Sequence, residues 1–206
     1  MSSQIRNSKT KAETIIFLPS KKIVTPNFIY VGMFCYSTED NLIFPKIIPE
    51  LESQLTSVVG FVKGNEIFSL CRKQEKLPWS SDSLFVNMPR GLSGIENTSL
   101  ILDAAKEQNK KAEAAQYCHD YSLNGVKQGS AFLFSKKELE DAFLCSPHIN
   151  WSLEILGEEL LTWWLWSSSE RDCSWASRLR FSGDGVYGRN GKIHRYYVRP
   201  GLVLTR

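Results

Sequence analysis

Apolar residues in the first third of the chain come in short runs that are rich in β-branched and aromatic side chains. Two runs cover residues 14–18 and 28–36, and two more cover residues 57–62 and 66–71. The last two flank a turn signal at Gly64. Apolar runs on either side of a glycine-containing turn are typical of a β-hairpin. The pattern therefore predicts short strands, with one hairpin, before residue 75.

The middle of the chain has a different pattern, which favours helices. Residues 98–107 and 111–121 have helical composition, and we expect Asn97 or Thr98 to cap the first helix. The segment 76–94 before them is rich in Pro, Ser, Gly and Asn. Such a composition predicts a long surface loop that leads into the helices.

A further helix is predicted from a capping signal. Ser135 and Glu138 have the spacing at which a serine hydroxyl and a glutamate carboxylate each bond the other's backbone N–H. Leu139 and Phe143 lie four residues apart on the side of this helix that we expect to be buried. A second short helix follows and is predicted to end at Gly157.

The last forty residues return to a strand pattern. Residues 175–182 alternate cleanly, which is typical of a half-buried strand. One side is predicted to carry Trp175, Leu179 and Phe181, and the other Arg178, Arg180 and Ser182. Turn signals at 182–185 and 190–191 separate this strand from two more, at 186–187 and 193–204, so we expect an antiparallel meander to end the chain.

Composition and charge exclude several classes of protein. The chain has 206 residues, of which 42% are hydrophobic, so it can bury a substantial core. Its 25 Lys and Arg against 22 Asp and Glu give a net charge of +3, without the clustered excess of a nucleic-acid binder. No apolar stretch approaches the ~20 residues needed to cross a bilayer, and residues 1–14 do not form a signal peptide. We expect no nucleic-acid partner, no membrane insertion, and synthesis in the cytoplasm without a signal peptide.

The five cysteines are widely spaced and odd in number, with no Cys-x-x-Cys pair and no histidine at zinc-ligand spacing. This distribution predicts free and mostly buried thiols, with a single disulfide left open.

Residues from these segments recur, in the same order, in one family of bacterial and phage proteins. They are Asn97, Thr98, Ala114, Ala115, Cys118, Tyr121, Gly129, Leu133, Ser135, Glu138, Leu139, Trp166, Glu170, Trp175, Gly183 or Gly185, Lys192, Val198, Arg199 and Pro200. Their order and spacing resemble C-type-lectin-like domains, which share a fold with sulfatase-modifying factors and include tail-tip and surface adhesins diversified by retroelements. Phe134 departs from the family pattern, because relatives usually have a proline before the capping serine.

The resemblance implies an α+β fold with short helices packed on twisted antiparallel sheets. Residues 1–14 have almost nothing to bury, so their composition predicts a flexible arm. A β-rich leader region is predicted over residues 15–75, and the C-type-lectin-like domain over 76–206. Trp166, Trp175 and Val198 would be core residues in that fold, and Arg199 is expected to tie neighbouring carbonyls or carboxylates together.

Relatives display variable side chains from the loop after the Trp-Ser-Ser stretch and from the outward face of the next strands. The matching positions here are Ser169, Glu170, Arg171, Asp172, Ser174, Arg178, Arg180, Ser182, Arg189, His194 and Tyr196. From Trp166 to Arg206 there are eight Lys or Arg against three Asp or Glu, which is a local charge of +5. Arginine and aromatic residues dominate interface hot spots, so an acidic glycan or an acidic protein patch would suit this surface, although a solvated face is the alternative.

Neither a metal site nor a catalytic site is expected. Calcium needs about six to eight oxygen ligands, and the Glu-Pro-Asn and Trp-Asn-Asp triplets of sugar-binding relatives do not occur here. His119, His148 and His194 are scattered without a partnered nucleophile. Cys173 is the one cysteine in the candidate surface, so oxidase chemistry there is the third and weakest hypothesis. No cofactor is expected.

The sequence leads to one main functional hypothesis and two alternatives to it. The first is a non-enzymatic binding protein of a virion, such as a phage tail or surface protein, whose C-terminal face contacts a host-surface protein, a glycan or a partner subunit. The alternatives are a purely structural decoration or assembly protein of a phage particle, and a bacterial surface or pilus-tip adhesin. All of them place the chain on a virion or an extracellular surface, and a homo-oligomer is left open.

Overall fold

The computed structural model describes residues 29–37 and 41–205, and in this part of the chain two five-stranded sheets form the framework. The predicted arm and the predicted strand at 14–18 lie outside the described residues. The first sheet consists of β1 (Phe34–Tyr36), β2 (Leu42–Phe44), β3 (Leu55–Lys63), β4 (Glu66–Cys71) and β10 (Gly201–Thr205), in the order β10-β4-β3-β1-β2. All of its strand pairs are antiparallel.

The second sheet consists of β5 (Glu75–Pro78), β6 (Trp164–Glu170), β7 (Trp175–Arg180), β8 (Tyr187–Gly191) and β9 (Arg195–Val198), in the order β5-β9-β6-β7-β8. Its pairs are antiparallel except the β6–β9 pair, in which Leu165 lies beside Tyr197. Strand β5 lies at the start of the segment that the sequence predicted to be a loop. It forms because the β9 backbone pairs with it, a contact between distant parts of the chain.

Four α-helices connect the sheets within the described ranges. They are α1 (Gly94–Glu107), α2 (Glu113–Asp120), α3 (Lys136–Leu144) and α4 (Ser146–Ile155), with short 3-10 turns at Pro49–Gln54 and Leu123–Gly125. Together with the two antiparallel-rich sheets, they confirm the predicted α+β fold class. The division into an arm, a leader region and a C-terminal domain stays a prediction.

The ends of the helices follow local hydrogen bonding. The capping box at the start of α3 is confirmed, with Ser135 and Glu138 bonding each other's backbone N–H groups. The predicted cap of α1 is wrong, because Ser93 occupies that place and forms a capping box of its own. Asn97 and Thr98 lie inside the first turns instead, where Thr98 Oγ1 donates to the Gly94 carbonyl at 2.7 Å.

The C-terminal strands do not form the simple meander that the sequence predicted. Only β6, β7 and β8 follow one another as antiparallel neighbours. Strand β9 returns to the other side of β6, and β10 joins the first sheet beside β4. The predicted strand over 193–204 is divided at Pro200, whose ring has no N–H to donate to a ladder. The final strand therefore completes the sheet built by β1 to β4.

Two apolar clusters cover the two faces of the second sheet. One includes Leu165 and Leu179 together with Leu70 of the first sheet. The other includes Trp166 and Val198 with residues of α1 and α2. The predicted burial of Trp166 and Val198 is therefore confirmed.

Trp175 was expected in the core and is 43% exposed, so that prediction is wrong. It begins β7 beside a register irregularity of the β6–β7 pair, and the residue opposite it on β8 is Gly191, which has no side chain to cover the indole. Its neighbour Ala176 is buried in its place.

Arg199 confirms its predicted structural role. It is 2% exposed and donates to the carbonyls of Cys71 at 2.9 Å and Arg72 at 2.7 Å, to Gln74 Oε1 at 3.1 Å and to the carbonyl of Glu159. Burial lowers the pKa of its guanidinium to about 10. The side chain joins the end of β4 to the segment that precedes β6.

The cysteine prediction is also confirmed. All five thiols are free, and Cys35, Cys71 and Cys118 are buried while Cys173 is exposed. Burial raises the pKa of the Cys35 thiol to about 12, so this group is inert at neutral pH.

Candidate functional site

A buried ion pair lies beneath the predicted ligand surface. Glu170, at the end of β6, accepts hydrogen bonds from Lys192 Nζ and from the Val86 backbone N–H at 3.0 Å. Both side chains of the pair are almost fully buried. Lys192 also donates to the Leu84 carbonyl at 2.7 Å and lies over the Trp79 ring at 4.4 Å. Burial lowers the pKa of Lys192, and the hydrogen bond to Glu170 opposes that shift.

This pair anchors the loop of residues 79–92 against the second sheet. Glu170 was expected to present its carboxylate outward for a ligand. The structure corrects this expectation, because the carboxylate is already held by Lys192 and by the loop backbone. Glu170 therefore holds the 79–92 loop in place through its hydrogen bonds to Val86 and Lys192.

Above this pair lies a groove between the 88–92 loop, the start of α3 and strands β6 to β8. It has two adjacent hollows, of about 530 and about 440 Å³, which share Arg90, Lys136, Glu170 and Ser177. We call it the basic groove and define it by the polar residues Arg90, Asn97, Ser135, Lys136, Lys137, Glu140, Ser169, Glu170, Arg171, Ser177 and Arg189. Met88, Pro89, Leu92 and Tyr187 supply apolar parts of its walls.

The groove carries an excess of positive charge. Its cations are Arg90, Lys136, Lys137, Arg171 and Arg189, and its anions are Glu140 and Glu170. Glu170 is neutralised by Lys192, and Lys137 pairs with Glu140 at 3.4 Å and with Asp141 at 3.0 Å. Arg171 pairs with Asp172 at 4.0 Å, whereas Arg90, Lys136 and Arg189 have no acidic partner within 4.0 Å among the described residues. The N-terminus of α3 adds a partial positive charge at the same wall.

Several neutral polar groups line the inner wall of the groove. The Lys136 backbone N–H donates to Ser169 Oγ at 2.9 Å, which ties the start of α3 to β6. Asn97 on α1 is 2% exposed, and its Nδ2 donates to Ser168 Oγ at 3.0 Å. Its Oδ1 is buried and has no hydrogen-bond partner among the described residues.

On the opposite face of β7, an arginine packs against aromatic rings. Side chains alternate along a strand, so Arg178 faces away from Ser177 and the groove. Its guanidinium lies over the Trp164 ring at 3.9 Å and the Tyr196 ring at 4.1 Å. Gly188 permits this arrangement, because a Cβ there would lie 2.8 Å from the Trp164 ring. We call Arg178, Trp164 and Tyr196 the arginine stack.

The expected free stripe of arginines is therefore corrected for Arg178, which is half-buried. Tyr196 is also held by contacts within the fold. Its hydroxyl accepts a hydrogen bond from Asn190 Nδ2, and its ring packs edge-on against Trp166 with the ring centroids 5.0 Å apart. Arg180 pairs with Asp184 at 3.2 Å. Beside the stack, an aromatic cleft of about 320 Å³ is lined by Lys76, Trp163, Trp164, Arg195, Tyr196 and Tyr197.

The structure thus divides the predicted site residues. It brings Ser169, Glu170, Arg171 and Arg189 together at the groove. Asp172 holds the β6–β7 turn by accepting the backbone N–H groups of Ser174 and Trp175, each at 2.9 Å. Ser174, Ser182 and His194 are exposed in or beside turns and do not line the groove.

Sequence reasoning missed the groove's other wall, formed by Arg90, Asn97, Lys136 and Lys137. The capping box at Ser135 predicted the helix start that carries the two lysines. Nothing in the sequence indicated that Arg90, in a loop, would lie opposite them.

Comparison with known proteins gives one distant similarity. No family model and no curated protein matches the chain. Among solved structures, the chain is similar to the crystal structure of a fimbrial protein from Bacteroides ovatus, with a TM-score of 0.65 over 85% of this chain at 13% identity. The chain spans about half of that protein, since the match covers 49% of it. At this identity the similarity shows a common fold. No helix in the described part of the chain has the length and hydrophobicity of a membrane span.

Proposed function

We propose that the chain is a non-enzymatic module of a cell-surface protein of the adhesin class, and that its basic groove binds an anionic ligand. The groove is the observation that carries the proposal. Its cations converge from a loop, a helix start, the β6–β7 turn and strand β8. Three of them, Arg90, Lys136 and Arg189, lack an acidic partner within 4.0 Å among the described residues. Convergence of uncompensated charge in a concave site favours recognition of an anion.

The fold likeness supports the surface location. The similar solved structure is described as a fimbrial protein, which agrees with the adhesin alternative. The phage tail role has no support from any comparison, so we prefer the adhesin. We also propose that the helices and the second sheet form a C-type-lectin-like domain, on the strength of the sequence resemblance and of the buried Trp166, Val198 and Arg199.

Charge reversal tests the proposed function. Wild-type protein is passed over immobilised heparin and immobilised poly-L-glutamate in a salt gradient. The variant Arg90→Glu/Arg189→Glu is expected to lose at least about tenfold in affinity for a bound polyanion, because each reversal replaces attraction by repulsion. A matched variant, Lys63→Glu/Lys106→Glu, makes the same change in net charge at exposed positions outside the groove.

The matched variant is expected to bind like wild-type protein. Equal losses in the two variants would mean that only net charge matters, and the proposed groove would then be wrong. Failure of wild-type protein to bind either polyanion at low salt would also refute the proposed function.

A further inference from the structure

The inner wall of the basic groove contains an acceptor without a donor. Asn97 Oδ1 is buried and unpartnered within the described residues, although the side chain itself is fixed by its bond to Ser168. A buried carbonyl oxygen without a hydrogen bond is costly, so such groups in native proteins are satisfied by water or by a ligand. Asn97 is one of the residues that line the groove, so the groove is the side from which a donor would approach this oxygen.

Two hydroxyl groups that line the same hollow as this acceptor can each donate a hydrogen bond. Ser135 Oγ accepts the Glu138 backbone N–H at 3.3 Å, and Ser169 Oγ accepts the Lys136 backbone N–H at 2.9 Å. Each hydroxyl is used as an acceptor, and neither donates a hydrogen bond to a described residue. A hydroxyl can accept and donate at once, so both hydrogens remain for a ligand oxygen.

The inner wall therefore requires a ligand with a particular mixture of groups. It offers cationic and hydroxyl donors from Arg90, Lys136, Ser135 and Ser169, and it needs a donor for Asn97 Oδ1. From this, and resting on the proposed function, we infer that the groove binds an acidic saccharide. Its carboxylate or sulfate lies toward the arginine and lysine side chains, and one of its hydroxyl groups donates to Asn97.

A saccharide fits this wall better than an acidic peptide does. A sugar ring carries its acidic group and its hydroxyl groups on one small rigid frame, so both kinds of contact form within a single residue. An acidic peptide carries carboxylates on flexible stems, and its donors are backbone N–H groups that would have to enter the inner wall. The acidic peptide is therefore the competing outcome of the test.

Binding of matched probes to the full chain tests this inference. Oligogalacturonate, which is a carboxylated saccharide, and an oligo-L-glutamate of equal charge are titrated calorimetrically into wild-type protein and into Asn97→Ala. Wild-type protein is expected to bind the saccharide at least about tenfold more tightly than the peptide. Asn97→Ala is expected to weaken saccharide binding more than peptide binding, and so to remove that preference.

A ligand-side test avoids any dependence on the folding of the Asn97 variant. Oligogalacturonate with O-methylated hydroxyl groups keeps its charge and loses its donors, so wild-type protein is expected to bind it about tenfold more weakly than the parent saccharide. Ser169→Ala is expected to weaken saccharide binding as well.

The outcomes separate this inference from the proposed function. Equal binding of saccharide and peptide, or no effect of O-methylation, would overturn the saccharide inference and leave the anion-binding groove standing. Loss of all binding in the Arg90→Glu/Arg189→Glu variant, with the saccharide preference intact in wild-type protein, supports both.

Discussion

The two faces of β7 show how one residue type can serve two purposes. On the groove face, Arg189 lies opposite Ser177, is exposed, and has no acidic partner among the described residues. On the other face, the adjacent Arg178 is stacked on Trp164 and Tyr196. Both arginines stood in the same predicted ligand surface. Alternation along a strand therefore predicts on which face a side chain lies. The role of that side chain depends on which residues from distant segments pack against the same face.

Arg199 is the cation that we expect to contribute most to the stability of the fold. We expect Arg199→Ala to lower the free energy of unfolding by about 4–5 kcal/mol, because it leaves the carbonyls of Cys71 and Arg72 without this hydrogen-bond donor. Urea denaturation measures the loss. The exposed Arg189→Ala is the control, with a change within about 0.5 kcal/mol. A loss below about 1 kcal/mol for Arg199→Ala would show that these bonds are not needed.

Lys192 is expected to have the next largest effect. Lys192→Met leaves the Glu170 carboxylate buried without its cation, which should cost about 3 kcal/mol in the free energy of unfolding. The double variant Lys192→Met/Glu170→Gln removes both charges and should recover part of that loss in the same denaturation assay. No recovery would mean that Glu170 does not depend on Lys192 for its burial.

Gly188 tests the arginine stack with a smaller change. Gly188→Ala places a Cβ 2.8 Å from the Trp164 ring and 3.3 Å from Arg178 Nε, so the stack must shift, at a cost of about 2 kcal/mol. Thermal denaturation measures the effect. Trp164→Leu in the same background should relieve the crowding, and additive losses in the double variant would argue against direct contact.

The smallest effects on stability are expected in the groove. Arg90→Glu should change the free energy of unfolding by no more than about 0.5 kcal/mol, because the side chain is exposed and has no acidic partner among the described residues. The same variant should weaken polyanion binding. A large loss of stability would assign Arg90 to the fold and remove it from the ligand surface.

Local signals in the sequence predicted several elements whose decisive bonds are local, although the local cap of α1 at Ser93 was missed. The hairpin of β3 and β4 and the capping box at Ser135 were predicted from such signals, and the burial of Trp166 was predicted from the family resemblance. The failures share a different cause. Strand β5, the placement of β9 and β10, and the exposure of Trp175 depend on pairing between residues far apart in the chain.

The candidate site was predicted only in part for the same reason. One wall comes from the β6–β8 region, which the resemblance indicated. The other wall comes from Arg90 and the start of α3, which the Glu170–Lys192 pair and the Ser169 hydroxyl bring into place across the fold. No periodicity in a single sequence encodes such a contact.

The most direct test of the binding groove is to map where an acidic saccharide contacts the protein in solution. Oligogalacturonate is titrated into ¹⁵N-labelled protein, and backbone amide shifts are followed by NMR. The largest shifts are expected at Arg90, Lys136, Ser169 and Arg189, with little change at Trp163, Trp164 and Tyr196. Saturable shifts confined to the aromatic cleft, with the groove amides unmoved, would contradict the assignment of the groove as the binding surface.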